Sequence, residues 1–406
     1  MTVTESQTEP LTYGSDRLAQ LIADIGEGAL ERERTGERPF AAVDLARRAG
    51  LGALRVPLED GGGGATLREL FAVVIALAAV DVNVAHILRG HFSHVEERLR
   101  LDAAERKRVI DLALRGAIVG NASTELGSTP AGAFTWQTRL TPDGDGFRLN
   151  GKKFFTTGTL YADYAEVLAS NPEGATVIAL VPTDRAGVTV LDDWDGMGQR
   201  ATGTGTAIFE DVAVSADETL QFAPPETGTE PELYLSGAFF QLYVTALEAG
   251  VLHALRADAV AHVHQRARSF TWAPDPTPAD DPLLQREIGE IASAAYAAEA
   301  TVLAAADALA IAYEADVART DPNLDLAHEA SLQAATAKVV VDALAQKAAS
   351  QIFDVGAASV VRQAHLLDRH WRNIRTLASH NPSSYKAQAI GAYYARGTRL
   401  PGSGYF

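Results

Sequence analysis

Four histidines in this sequence lie in two segments whose side chains could do chemistry. His86, His91 and His94 fall in one helical stretch, and His380 follows in the segment LASHNPSSYK. Imidazole has an unperturbed pKa near neutrality, so it can donate or accept a proton at physiological pH. The i, i+3 spacing of His91 and His94 could also hold a metal ion. Because no carboxylate is placed to complete such a ligand set, we predict no metal site.

Small polar side chains are concentrated in the middle of the chain. They form two groups, one on each side of a strand-rich segment. The first group is Asn121, Ser123, Thr124 and Ser128, and the second is Phe155, Thr156 and Thr157. By residue type alone, the first group suits an ordinary turn. The second suits a strand, where threonine and phenylalanine are common. Both groups are also candidates for holding a ligand.

Arginines recur near the other end of the chain. They are Arg362, Arg369, Arg372 and Arg375. The last three share one face of a helix. A guanidinium can bind a phosphate through two hydrogen bonds, so this stripe could contact an anionic cofactor. A solvated helix face with salt bridges explains the same pattern.

The composition excludes several classes of protein. The 406 residues carry a formal net charge of −17 and include no cysteine. So acidic a chain repels nucleic acid and anionic membranes. The missing thiols exclude disulfides, thiol nucleophiles and cysteine-ligated metals. No apolar run looks long enough to span a bilayer and the first residues are polar, so we expect a cytoplasmic protein that binds neither nucleic acid nor membrane.

Three regimes of hydrophobic periodicity divide the chain, at 1–119, 120–225 and 226–406. The first is mostly helical, with a loop at the four glycines 61–64 and a break near Asp81. The second alternates like strands around two turn signals, Asp143 with Gly144 and Asn150 with Gly151. The third holds alanine-rich amphipathic runs at 236–268, 282–319 and 324–353, which predict a helical bundle.

Three stretches resemble the acyl-CoA dehydrogenase superfamily. They are GNASTELGSTPAGAFTWQTRLTPDGDGFRLNGKKFFTTGTLYADY, AIFEDVAVSADETL and SQIFDVGAASVVRQAHLLDRHWRNIRTLASHNP. The resemblance covers roughly residues 15–400. It implies an α+β fold with an N-terminal helical domain, a middle antiparallel β-barrel domain that lines a flavin, and a C-terminal four-helix bundle.

The carboxylate base of an acyl-CoA dehydrogenase is missing from the positions where that family has it. The segment ASHNPSSYKAQAIG holds no acid, and the other position falls near Tyr243, with Glu248 close by but out of register. The segments AHILRGHFSHVE and LDRHWRNIRTLASHNPSSYK are instead similar to the monooxygenase branch related to dibenzothiophene monooxygenase. Members of that branch take reduced flavin from a separate reductase and react it with O2 through a C4a-hydroperoxyflavin.

The resemblance implies roles for individual residues. His91 aligns with a histidine beside the flavin hydroperoxide and is the first choice for acid/base chemistry, with His380 as a contact to substrate or peroxide. The Thr157 hydroxyl would hydrogen-bond near flavin N5, and Phe155 would pack on the ring. The remaining residues implied in cofactor binding are Asn121, Ser123, Thr124, Ser128, Thr156, Arg369, Arg372, Gln351 and Gly356.

The same resemblance implies the cofactor and partners. The segment RARSFTW lacks the glycine that follows the family's arginine and phenylalanine, which favours FMN, as FMNH2, over FAD. The expected partners are O2, a flavin reductase and a small substrate oxygenated at sulfur, nitrogen or an aromatic carbon, with the enzyme as a homotetramer. Two alternatives stay open: an acyl-CoA dehydrogenase with a relocated base such as Glu248, and a non-catalytic flavin-binding protein.

Overall fold

A computed structural model describes residues 9–127, 135–221, 231–317, 323–356, 358–404 and 406. The N-terminal part is helical, as the sequence predicts. Its helices are α1 (Asp16–Gly26), α2 (Ala29–Thr35), α3 (Phe40–Arg48), α4 (Leu67–Ile87), α5 (Arg89–Leu99) and α6 (Ala103–Leu114). The glycines at 61–64 lie in the loop before α4, which confirms that prediction.

Helix α4 is interrupted where the sequence predicts a break. Thr66 and Glu69 form a reciprocal capping box at its start, which satisfies backbone N–H groups that have no partner inside the helix. Asp81 then leaves helical geometry, with φ −150° and ψ 98°. Its Oδ1 accepts from the backbone N–H groups of Asn83 and Val84, so it caps the second half of α4. That second half carries His86 to the junction with α5.

The middle part is one eight-stranded sheet. Its strands are β1 (Val119–Ala122), β2 (Arg139–Asp143), β3 (Gly146–Lys153), β4 (Tyr164–Ser170), β5 (Thr176–Pro182), β6 (Val188–Val190), β7 (Ala207–Ser215) and β8 (Thr219–Gln221). They are ordered β6-β7-β3-β2-β4-β5-β8, with β1 beside β4. Most neighbours are antiparallel, but β1 and β2 both run parallel to β4. The sheet is therefore mixed rather than purely antiparallel.

The two turn signals differ in outcome. Asp143 and Gly144 form the β2–β3 hairpin, with Gly144 at φ +59°. The prediction of a second turn at Asn150 and Gly151 is wrong, because both lie inside β3, where its register shifts against β7. An ideal Cβ on Gly151 would lie 2.4 Å from Thr138 Oγ1. That glycine therefore permits a close approach of neighbouring backbone instead of a turn.

The third part is the predicted helical bundle. Its helices are α7 (Pro231–Gln265), α8 (Pro282–Val317), α9 (Leu324–Gln351), α10 (Asp368–Ala378) and α11 (Ser383–Arg396). The first three are long and pack on one another, and the two short helices pack against α9. One hydrophobic core runs through these helices and the N-terminal ones, whereas the sheet has a core of its own. The sheet thus meets a single helical body, and the candidate site lies where they meet.

Within the described ranges, three helices are long and apolar enough, by length and composition, to cross a membrane, contrary to the expectation from the sequence. They are Leu67–Ile87, Pro231–Gln265 and Pro282–Asp316, and 78%, 89% and 44% of their most apolar windows are buried in the fold. Packing in the shared core accounts for the apolar side chains of the first two. The third keeps more than half of its window outside the core.

Candidate active site

The candidate site lies at the junction of α4 and α5, where β1 and the loop after β3 pack against it. An ideal Cβ on Gly158 would lie 2.3 Å from the carbonyl oxygen of Ile87, and one on Gly90 would lie 3.1 Å from the backbone nitrogen of Asn121. Glycine at both positions therefore permits the close approach. The hydroxyl of Thr159 also donates to the carbonyl oxygen of Asn121 at 2.9 Å. These contacts hold the sheet against the helix end that carries His86.

His86 is buried and held from one side. Its Nδ1 lies 2.9 Å from Oε1 of Gln199, while Nε2 has no hydrogen-bond partner in the described part of the chain. Burial, followed by the charge of Arg89, lowers the pKa of His86 to about 3. The ring is therefore neutral at physiological pH, with one nitrogen left over for a ligand.

His380 lies in the turn between α10 and α11, at the helix end where the sequence places it. Its Nε2 is 3.0 Å from Nη1 of Arg89, whose guanidinium also covers the ring of Phe240 at 5.2 Å. His380 is an exposed residue of this turn, although protein surrounds its ring. This enclosure, then Arg89 and His86, holds the pKa of His380 well below its ordinary value. We call His86, Arg89 and His380 the two-histidine site.

A chain of hydroxyl groups links the loop after β3 to the loop that carries Gln199. The Oγ1 atoms of Thr157 and Thr204 are 2.9 Å apart, and those of Thr204 and Thr202 are 2.6 Å apart. Thr202 in turn donates to the carbonyl oxygen of Gln199 at 2.8 Å. Thr156 is held separately, by two hydrogen bonds to the carbonyl oxygen of Gly205. The predicted threonines thus form part of the framework around His86.

Phe155 presents an aromatic surface beside this framework. It is 47% exposed, has φ +54°, and lies edge-on to Trp194 with ring centroids 6.2 Å apart. A positive φ is strained for a bulky residue, and such strain is often found at ligand sites. Phe155 and Trp194 together offer the polarisable face that a planar ring system needs.

The predicted polar residues of β1 lie at the same junction. The Oδ1 atom of Asn121 is buried and has no hydrogen-bond partner within the described ranges. The carbonyl oxygen of Ser123 accepts from Lys153 at 3.2 Å, and that of Thr124 accepts from the N–H of Phe154 at 2.8 Å. Ser128 lies outside the described residues. A buried amide oxygen without a donor is costly, so Asn121 offers an acceptor to a bound molecule.

His91, the first choice from the sequence, does not join the two-histidine site. Its ring is fully buried, with Nε2 3.0 Å from the carbonyl oxygen of Gly52 and Nδ1 accepting from the N–H of Val119 at 3.3 Å. Burial lowers its pKa to about 4. Both ring nitrogens are committed to backbone groups, so the structure gives His91 a part in packing and no nitrogen that faces a ligand.

The predicted phosphate-binding arginines have partners inside the chain. Arg369 donates to Asp258 at 2.5 Å, and Arg372 is shared between Glu33 and Asp368, each at 2.8 Å. Nη1 of Arg372 donates to a backbone carbonyl as well. These bonds engage part of each guanidinium group and connect helices within the chain.

The predicted residues of the segment after α9 are also occupied. Gln351 donates to Glu287 at 2.5 Å and to Glu290 at 3.0 Å. An ideal Cβ on Gly356 would lie 2.6 Å from Nε2 of His262. The described structure therefore explains both by packing between α8, α9 and the following turns, away from the two-histidine site.

Glu248, the candidate for a relocated base, is sealed in the bundle. The side chain is fully buried, and it faces Asp342, which pairs with Lys338 at 2.9 Å. Burial and the neighbouring Asp342 raise the pKa of Glu248 well above its ordinary value. Because the side chain is enclosed by helices, it does not reach a thioester, so the geometry argues against an acyl-CoA dehydrogenase.

His94 belongs to a separate polar cluster. Its Nδ1 is 2.5 Å from Oε2 of Glu166, and the same oxygen lies 2.8 Å from Arg98. The charge of Arg98 and the hydrogen bond with His94 hold the pKa of Glu166 at about 2 despite its burial. A cavity of about 260 Å³ borders His94 and Arg98. It includes no member of the two-histidine site, so this cluster serves the contact between α5 and β4.

We predict that the free energy of unfolding decreases as the pH falls from about 6.5 to about 4. Burial lowers the pKa of His86 to about 3 and those of His91, His94 and His370 to about 4, from an ordinary 6.5. In this window the unfolded chain binds protons that the folded chain does not, which favours unfolding. Each pKa unit is worth about 1.4 kcal/mol per group.

Chemical denaturation at several pH values measures this dependence. Glu248 and Glu97, whose pKa values are raised, act in the opposite sense, but they are two groups against four. A His370→Asn variant should show a shallower pH dependence than wild type. A stability that is constant or increases over this range would contradict the prediction.

Sequence reasoning missed four residues of the site: His86 as the ligand-facing histidine, Arg89, Gln199 and Trp194. The sequence identified the helical stretch. It could not show which histidine keeps a nitrogen without a partner, because that depends on how β1 and the segment around Gly52 pack. Nothing local in GMGQRATGTG marks Gln199. A clue was available for Arg89, because it lies one helical turn from His86.

Comparison with known proteins places this geometry in context. Residues 121–212 match the middle domain of acyl-CoA dehydrogenases, and residues 242–385 match their C-terminal domain. The sequence is similar to dibenzothiophene monooxygenase of Rhodococcus erythropolis, with 31% identity over 91% of this chain and 90% of the relative. It is also similar to a probable FMNH2-dependent monooxygenase, SfnC, of Pseudomonas putida, with 27% identity over 92% of each chain.

The fold is similar to a solved structure. The FMN-bound crystal structure of TdsC from Paenibacillus sp. A11-2 superposes with a TM-score of 0.86 at 28% sequence identity. The match covers 96% of this chain and 99% of TdsC. The likeness therefore includes the helical parts, the sheet and the junction between them.

Proposed function

Because the chain belongs to the acyl-CoA dehydrogenase superfamily and is a flavin-dependent monooxygenase of its dibenzothiophene monooxygenase-like branch, we propose that it uses reduced FMN from a separate reductase. With O2, it oxygenates a small organic substrate at sulfur, nitrogen or an aromatic carbon. The observation that carries this proposal is the two-histidine site, in which Arg89 joins His380 to the end of α4 beside His86. The two-histidine site includes no carboxylate that could act as the base of an acyl-CoA dehydrogenase.

The residues around the junction fit a flavin. Asn121 Oδ1 is a buried acceptor without a donor in the described chain, which suits an imide N–H of the flavin ring. Phe155 and Trp194 supply an aromatic wall, and Thr157 supplies a hydroxyl at its edge. The FMN bound to TdsC and the similarity to SfnC, a probable FMNH2-dependent monooxygenase, support FMN over FAD. When bound, reduced flavin supplies the electrons that activate O2.

The two histidines and the arginine divide the remaining tasks. His86, neutral and with Nε2 unpartnered within the described residues, accepts a hydrogen bond at that atom. His380 is accessible and can exchange protons with solvent or substrate. The Arg89 guanidinium next to it stabilises negative charge that develops during oxygen transfer, as a fixed cation in an enclosed site does.

The function is tested by oxygenation assays. The purified chain, a flavin reductase with NADH, FMN and O2 should convert members of a panel of thioethers, arylamines and indoles, with isotope from labelled O2 in the product. Chemically reduced FMN in place of the reductase should support a single turnover. FAD in place of FMN should support less. Anaerobic bleaching of bound flavin by an acyl-CoA would overturn the proposal.

A further inference from the structure

Gln199 holds an unusual backbone conformation beside His86. It is 1% exposed and has φ +53°. Its N–H donates to Oδ1 of Asn373 at 2.7 Å, and its carbonyl oxygen accepts from Trp194 Nε1 at 3.0 Å and from Thr202 Oγ1 at 2.8 Å. A positive φ costs free energy in a residue with a side chain, and it persists where the surroundings enforce it. Three hydrogen bonds enforce it here.

The residue before Gln199 anchors the loop to α10. An ideal Cβ on Gly198 would lie 2.2 Å from the carbonyl oxygen of Arg372, so only glycine lets the loop approach this closely. Anchored on both sides, the backbone directs the Gln199 side chain at His86, where Oε1 meets Nδ1 at 2.9 Å. The loop therefore fixes the contact between Gln199 and His86, and this contact forms without a substrate or a cofactor.

That contact decides which nitrogen of His86 carries its proton. A neutral imidazole has one N–H donor and one acceptor nitrogen. With Oε1 towards the ring, the amide can only accept, so the proton lies on Nδ1 and Nε2 keeps its lone pair. Besides Gln199, burial in the protein and the charge of Arg89 affect the pKa of His86, and both lower it. His380 faces Arg89 from the α10–α11 turn.

We propose that Gln199 is a positioning residue that holds His86 as the Nδ1–H tautomer, which keeps Nε2 available as the hydrogen-bond acceptor of the site. The inference rests on the proposed function in one respect: that function gives Nε2 of His86 its role as an acceptor. The tautomer itself is a property of the resting protein. It can therefore be measured whether or not the oxygenation is observed.

Nuclear magnetic resonance of nitrogen-labelled histidine, without reductase or substrate, tests the tautomer. Wild type should show the His86 proton on Nδ1, assigned by its loss in His86→Asn. Gln199→Leu should remove this preference. Thr206→Val is the matched control, because Thr206 lies in the same loop and bonds Asp193 rather than His86. An Nε2–H tautomer in wild type, or an unchanged spectrum in Gln199→Leu, would overturn the proposal.

A second variant separates positioning from folding. Gln199→Glu keeps the size of the side chain and places a carboxylate against Nδ1, which favours the protonated ring and should raise the pKa of His86. If activity needs neutral His86, the acidic limb of the pH–rate profile should then move to higher pH. Gln199→Leu should lower kcat on the order of 10- to 100-fold, the effect of losing a partner that orients a histidine. An unshifted profile in folded Gln199→Glu would contradict the inference.

Discussion

A His380→Asn variant is expected to oxygenate substrate roughly 10²- to 10⁴-fold more slowly than wild type, the usual contribution of a positioned acid or base. His380 is an exposed residue, and its ring contacts the Arg89 guanidinium at 3.0 Å. Asparagine keeps a polar side chain in the turn but cannot exchange a proton near neutral pH. Steady-state rates with a flavin reductase, together with fluorescence titration of FMN, measure the two effects separately.

The control for His380 is a histidine outside the site. His264 is exposed near the end of α7, so His264→Asn should leave the rate unchanged. FMN should bind His380→Asn with an affinity close to that of wild type, because the cofactor contacts we propose come from the sheet side. A double variant with His86→Asn should lose less than the product of the single losses, as groups that act together do. Wild-type turnover by His380→Asn would remove this histidine from the mechanism.

The second large effect is on stability. His91→Ala is expected to lower the free energy of unfolding by about 3 to 5 kcal/mol, because it leaves a cavity and two buried backbone groups without partners. Those groups are the carbonyl of Gly52 and the N–H of Val119. Urea denaturation followed by circular dichroism at neutral pH measures the change. A further His91→Gln variant, able to keep one of the two bonds, should lose less.

The rate of the folded fraction decides what His91 does. Measured well below the unfolding transition, His91→Gln should keep kcat within a few-fold of wild type, whereas His86→Asn and His380→Asn should not. If His91→Gln instead keeps full stability and loses turnover, the acid/base role implied by the sequence resemblance belongs to His91 after all. The two predictions thus assign His380 and His86 to the reaction and His91 to packing.

Local patterns in the sequence were sufficient to predict the elements. Alanine-rich periodicity placed α7, α8 and α9 within a few residues, and the break at Asp81 followed from its polarity within an apolar run. The prediction failed where the same residue types suit two different local structures. Asn150 and Gly151 suit a tight turn, but in β3 the glycine makes room for Thr138. Sequence order could not show which strand would lie there.

The sequence by itself determined the family, the order of helices and sheet, and His380 at a helix end. Only the tertiary structure decided between His86 and His91. They lie on one apolar stretch, and the choice depends on Gly52 and Val119, which occupy His91, and on Gln199, which approaches His86 from a distant loop. A side chain's role depends on which of its polar atoms the fold leaves without a partner, and those partners come from segments far away in the chain.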